Sequence, residues 1–140
     1  MGRVIHTSSA GKDRDQLTKA IVVALAELTE TEPSSEKRRD LATFICFSLR
    51  AISETIDPTV AAWEKRGYWV KADRYRMEWS WTGQTAQKMK DALLVDDWER
   101  IAQLTDQIGE KLTRVKVSPH HRLGQPWVGA WEKLRDEILP

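Results

Sequence analysis

Three histidines, His6, His120 and His121, and one cysteine, Cys46, are the chain's readiest metal ligands and nucleophiles. The adjacent pair His120-His121 points in two directions, and no Cys-x-x-Cys, His-x-x-x-His or Glu-x-x-His spacing adds further ligands. No histidine falls on the apolar face of an expected helix, which also disfavours haem ligation inside a bundle. Neither a metal nor another cofactor is expected. Cys46 lies beside the apolar stripe of a helical segment, where a lone cysteine behaves as a small hydrophobe. The chain has no Gly-rich phosphate loop, no Gly-x-Ser-x-Gly elbow and no inward pair of carboxylates. Triads assemble from distant residues, so catalysis stays open but finds little support.

Anion recognition has one local signal. Lys111, Arg114, Lys116, His120, His121 and Arg122 follow one another with no acid between them. Cations at the end of a helix complement its dipole, which explains part of the run structurally. The functional alternative is an anion site formed by Lys116, His120, His121 and Arg122. It would sit near the first-turn amides of the last helix.

The third chemistry is aromatic. All seven tryptophans lie between Trp63 and Trp131, and Trp63, Tyr68, Trp69, Tyr75, Trp79 and Trp81 crowd into one stretch. At ~150–250 Å² each, these six side chains carry roughly 900–1,500 Å². A monomer's largest exposed apolar patch is ~300–600 Å², so most of this surface must be covered by a core, a partner or a ligand. At about 100° per residue, Trp63, Gly67, Val70, Arg74, Met77 and Trp81 form one stripe of a helix. Ala61, Tyr68, Ala72, Tyr75 and Trp79 form a second, with Trp69 between them. Two stripes fit a central bundle helix with neighbours on both sides. They also fit a helix with one stripe in the core and the other on a partner.

Arg74, in the middle of the first stripe, reads as an arginine paired with Glu78 or stacked on Trp63 or Trp81. The alternative is an anion-recognising group at an interface. Lys65, Arg66, Lys71, Arg74 and Arg76 interleave the rings as on a single-stranded nucleic-acid platform. Glu64, Asp73 and Glu78 reduce those five cations to a net +2, a weak signal for nucleic acid.

The elements that must position these groups are all helical. Leu17, Ala20, Ile21, Ala24, Leu25 and Leu28 mark a helix over about 12–30, which Pro33 stops. Ser34 or Ser35 caps a second helix striped by Leu41, Phe44, Ile45, Ser48, Leu49, Ile52 and Ile56, making an antiparallel hairpin. Asp57-Pro58 should start the aromatic helix, running to about Trp81, with Thr82-Gly83 a break or a weak point. A run over 86–94 follows. Asp96 and Glu99 should cap a helix bearing Trp98, Ile101, Leu104, Ile108, Leu112 and Val115. Residues 116–126 form an irregular basic loop, and a last helix should run from Pro126 to about Ile138. The expectation is an all-α, single-domain bundle of five to six helices over 1–140, with a flexible N-terminus over 1–10 and a long Trp-rich central helix.

The formal net charge of +1 supplies no global field to attract nucleic acid or an anionic membrane. One cysteine excludes an internal disulfide and suits a reducing cytosol. No apolar run reaches the ~20 residues of a membrane span. The first residues lack a signal-peptide pattern, and His6 stands where a myristoylation motif needs Ser or Thr. A cytoplasmic location is expected. The leading functional expectation is a non-catalytic protein–protein interaction or self-assembly module acting through the aromatic helix. A binding module for an aromatic or pigment-like small molecule is the second reading, and single-stranded nucleic acid the third.

Overall fold

Ser34 does what its position predicts. In extended backbone, its Oγ accepts the Lys37 amide at 3.2 Å, separating helix α1 (Thr7–Glu30) from α2 (Ser35–Glu54) as an antiparallel hairpin. This computed structural model describes residues 7–30 and 32–139. Residues 1–6, with His6 and the Met1-Gly2 start, lie outside the described residues. Helix α1 begins at Thr7 rather than at about 12, so residues 7–10 of the expected flexible N-terminus are helical. Five further helices follow: α3 (Ile56–Lys65), α4 (Trp69–Trp79), α5 (Trp81–Leu94), α6 (Trp98–Lys111) and α7 (Ala130–Ile138). Among the described residues there is no strand.

Helix α2 occupies the middle of the bundle, packing on α1, α5 and α7. Its periodic residues Leu41, Ile45, Leu49 and Ile52 are fully buried, with Ala42 and Cys46 beside them. They meet Ile21 and Ala24 of α1, Met89 of α5, Ile101, Leu104 and Ile108 of α6, and Leu134 of α7 in one core. The Trp-rich run is present over Trp69–Leu94, broken only at Ser80, whose angles stay right-handed helical. Its two halves differ. The α5 half lies along α2 in the heart of the bundle, whereas α4 packs mainly on α3 at the edge.

The expected start of the aromatic helix is displaced, and of the two readings of Thr82-Gly83 the break is not formed. Thr55 precedes α3, which begins at Ile56, so Asp57 and Pro58 lie inside its first turn rather than at the cap. The helix then stops at Gly67, which takes φ 81°. The Tyr68 amide donates to the Trp63 carbonyl at 2.8 Å and the Gly67 amide to that of Glu64 at 3.0 Å. That is a Schellman ending, in which glycine accepts the left-handed conformation without a Cβ penalty. Thr82-Gly83 breaks nothing and lies inside α5, with the Thr82 hydroxyl donating to the Trp79 carbonyl at 2.6 Å.

Two later boundaries also shift by physical necessity. Asp96 is left-handed (φ 57°) and ends α5, while Asp97 is the cap of α6, its Oδ1 accepting the Arg100 amide at 3.1 Å. The Asp96 carboxylate instead accepts the Trp98 indole N–H at 2.7 Å. At the other end, left-handed Gly129 (φ 82°) keeps Pro126–Val128 in a turn, so α7 begins at Ala130. Arg50 of α2 grips Glu137 of α7 through two hydrogen bonds, 2.9 and 3.2 Å. These hydrogen bonds hold the Glu137 carboxyl below the usual carboxylate range.

Candidate functional site

Five of the seven tryptophans are half-buried at seams between elements, each with a cation close to its ring. Arg14 lies 5.2 Å from the Trp79 ring, Arg38 4.6 Å from Trp98, Arg39 5.3 Å from Trp131, Lys71 4.6 Å from Trp63 and Lys111 6.0 Å from Trp81. Such contacts hide the ring face and keep the charge wet. Trp127, at 3% exposure, is covered instead by the core, edge-on to Phe44 at 6.5 Å. Trp69 has neither kind of cover among the described residues and is 60% exposed.

The geometry of α4 explains why. Ala72 and Tyr75 face inward into a satellite core with Ile56 and Val60, and Trp63 and Trp79 pack on it. The Trp63 and Tyr75 rings meet edge to face at 5.2 Å, and the Tyr75 hydroxyl lies 3.2 Å from Thr55 Oγ1. One stripe of α4 is thereby used. The other, one hundred degrees and more around the helix, has no neighbour among the described residues: Val70 is 66% and Met77 79% exposed, with Arg74 exposed between them. Tyr68, 54% exposed, extends this surface back to the Gly67 turn. Gly67, Tyr68, Trp69, Val70, Lys71 and Arg74 line a shallow depression of about 550 Å³ beside it.

Of the sequence-derived interface residues, Tyr68, Trp69 and Arg74 thus share one exposed surface. Trp63, Tyr75, Trp79 and Trp81 do not; they close seams or fill the satellite core. The expected Arg74–Glu78 pair is not formed among the described residues. Arg76 collects the acids instead, 3.5 Å from Glu64 and 3.8 Å from Asp73. Val70 and Met77 join the site, having been legible only as members of a stripe. Arg14 carried no signal, because the Tyr75 and Trp79 rings it stacks on lie some sixty residues away in the chain.

The basic loop brings its residues together only in part. Arg122 borders a hollow of about 650 Å³ that also holds Asp13 and Glu54, whereas His121 borders a different one with Glu27 and Glu30. Lys116 and His120 are exposed. The amides at the start of the last helix already have an anion, and it is internal. Gly129 N–H donates to Asp40 Oδ2 at 3.1 Å and Trp131 N–H to Asp40 Oδ1 at 2.9 Å. An acceptor from α2 therefore pins α7 across 89 residues of chain. Asp40→Ala is expected to lower stability by about 1–2 kcal/mol, the scale of a lost helix cap. Thermal melts give the magnitude, and hydrogen exchange should speed up selectively over 129–138. Unchanged protection there would contradict the pinning role.

Cys46 is a packing residue. Its S–H donates to the Ala86 carbonyl at 3.2 Å, and burial pushes the thiol up to about 11, far from the thiolate a nucleophile needs. Among the described residues, no three His, Cys, Asp or Glu side chains converge as a metal site, and no helix is long and apolar enough to cross a membrane. No family model, curated protein or solved structure matches the chain.

Proposed function

We propose that this chain is a non-catalytic protein–protein interaction module that holds its partner on the outward face of α4. The observation carrying this reading is Trp69, left 60% exposed beside Tyr68, Val70 and Met77 while the other six tryptophans are covered. With aromatic side chains of ~150–250 Å² each, these four residues together reach the ~300–600 Å² of a typical monomer's largest apolar patch. Covering such a surface is favourable at ~25 cal/mol per Å². Stable complexes bury about 800 Å² per partner, so the patch is the centre of an interface and the surrounding charges are its rim. Tryptophan and tyrosine suit that centre because they are large and stiff, and Met77 adapts to an irregular partner surface.

Affinity capture from native cells with the parent chain and a Trp69→Ala/Met77→Ser variant tests the proposal. A protein retained in near-equimolar amount by the parent, and at least tenfold less by a variant of equal melting temperature, is the expected result. Equal retention by both, or nothing retained by either, rejects the α4 face as a docking surface.

A further inference from the structure

The rim of this patch carries more unpaired cations than unpaired acids, and that excess specifies the partner. Resting on the interaction reading above, we infer that the occupant of the α4 face is a short acidic segment of a different protein. Such a segment carries an aliphatic or aromatic side chain next to Asp or Glu. Lys65 and Arg66 stand exposed immediately before the Gly67 turn, and Arg74 stands exposed at the edge of the depression. None of the three meets an acid among the described residues. Two acids of the same stretch, Glu64 and Asp73, are already held by Arg76, which leaves Glu78 as its one acid without a cation. The surface therefore offers an apolar centre at Tyr68 and Trp69 with three unpaired cations, Lys65, Arg66 and Arg74, and one unpaired acid, Glu78, on the same stretch.

A second copy of this chain does not complement it. A two-fold contact sets the same patch against itself, so the three unpaired cations of each copy face the other copy's cations with only one unpaired acid, Glu78, to meet them. Like charges facing each other at a desolvated contact select against that pairing. The depression is also shallow and local, about 550 Å³ beside a single helix, which suits a few side chains of a short segment. An apolar side chain seated there places flanking carboxylates within reach of the Arg74 guanidinium, whose planar fork matches a carboxylate's two oxygens. Rim charges of this kind act chiefly on association rate and salt dependence, while the seated side chain governs dissociation.

Selection of a random twelve-residue peptide display library on the purified full chain provides the test. The expected pools are enriched in Asp or Glu adjacent to Leu, Phe or Trp. A synthetic peptide from them should bind at least tenfold more weakly to Arg74→Glu and lose affinity as salt is raised. Selection on Arg74→Glu should shift the pools toward Lys- or Arg-flanked sequences. Circular dichroism melts of Arg74→Glu and Arg74→Gln should match the parent, since the residue is exposed. Enriched peptides that need Trp69 but show no acidic bias, or that ignore Arg74→Glu, overturn the charge inference and leave the α4 interface standing. Peptides unaffected by Trp69→Ala overturn the interface itself. A homodimer in light scattering that Trp69→Ala dissociates names a second copy as the occupant and also overturns the inference.

Discussion

Replacing Trp127 with alanine is expected to lower stability by about 3–5 kcal/mol, the range for large aromatics removed from a core. For a chain of this length that is a melting-temperature drop of roughly 10–20 °C. Trp127 belongs to the main core at 3% exposure, and its indole fills the space where the turn before α7 meets Phe44 of α2. Neither Gly129, held left-handed, nor Asp40, bonded to the Gly129 and Trp131 amides, lets the turn collapse into the hole. The cavity term therefore adds to the lost transfer free energy. Trp69→Ala is the control, because a surface substitution stays within about 0.5 kcal/mol. Thermal and denaturant unfolding of the two variants side by side measures the contrast. Melting of Trp127→Ala within a degree or two of the parent would reject the packing described here.

The second large effect is at Gly83, where α5 packs tightly on Ser53 of α2. A Cβ built there lies 2.5 Å from Ser53 Oγ and 3.4 Å from Ser53 Cβ. Alanine forces only the Ser53 hydroxyl to rotate away, and it gains up to ~1 kcal/mol of helix propensity over glycine. Gly83→Ala is thus expected to be near neutral, and to become stabilising in a Ser53→Ala background. Leucine has no such escape. Gly83→Leu must separate α2 from α5 or strain both, at the upper end of the ~1–3 kcal/mol seen for overpacked cores. Because this seam joins α5 to the bundle's middle helix, loosening it should also expose Met89, which is fully buried. Denaturant titration of the parent, Gly83→Ala, Ser53→Ala and their combination as a double-mutant cycle, with Gly83→Leu alongside, tests the account. A Gly83→Leu chain as stable as the parent would mean the seam is not tight.

These two glycines show where local pattern stops being informative. Gly67 and Gly83 both interrupt good helical periodicity, and by propensity either is a weak point. One is a left-handed helix ending and the other an ordinary helical residue under a neighbouring serine. Only the presence of α2 above Gly83 distinguishes them. The same holds for the tryptophans. Their concentration and helical spacing were readable, but the cations beside their rings come mostly from other helices, as with Arg14, Arg38 and Lys111.

The chain's own periodicity determines that it is all helical, that α1 and α2 form a capped hairpin, and that its aromatic stretch is apolar on two sides. Those properties depend on residues three or four apart and on side chains bonding nearby amides, interactions that need no distant partner. Tertiary structure alone decides which residues of the two stripes are covered. Ala72 and Tyr75 find α3 and the end of α2 against them, while Trp69, Val70 and Met77 stay exposed among the described residues. Both stripes satisfy the same short-range rule, and which of their residues are covered is decided by packing across some twenty to sixty residues of chain.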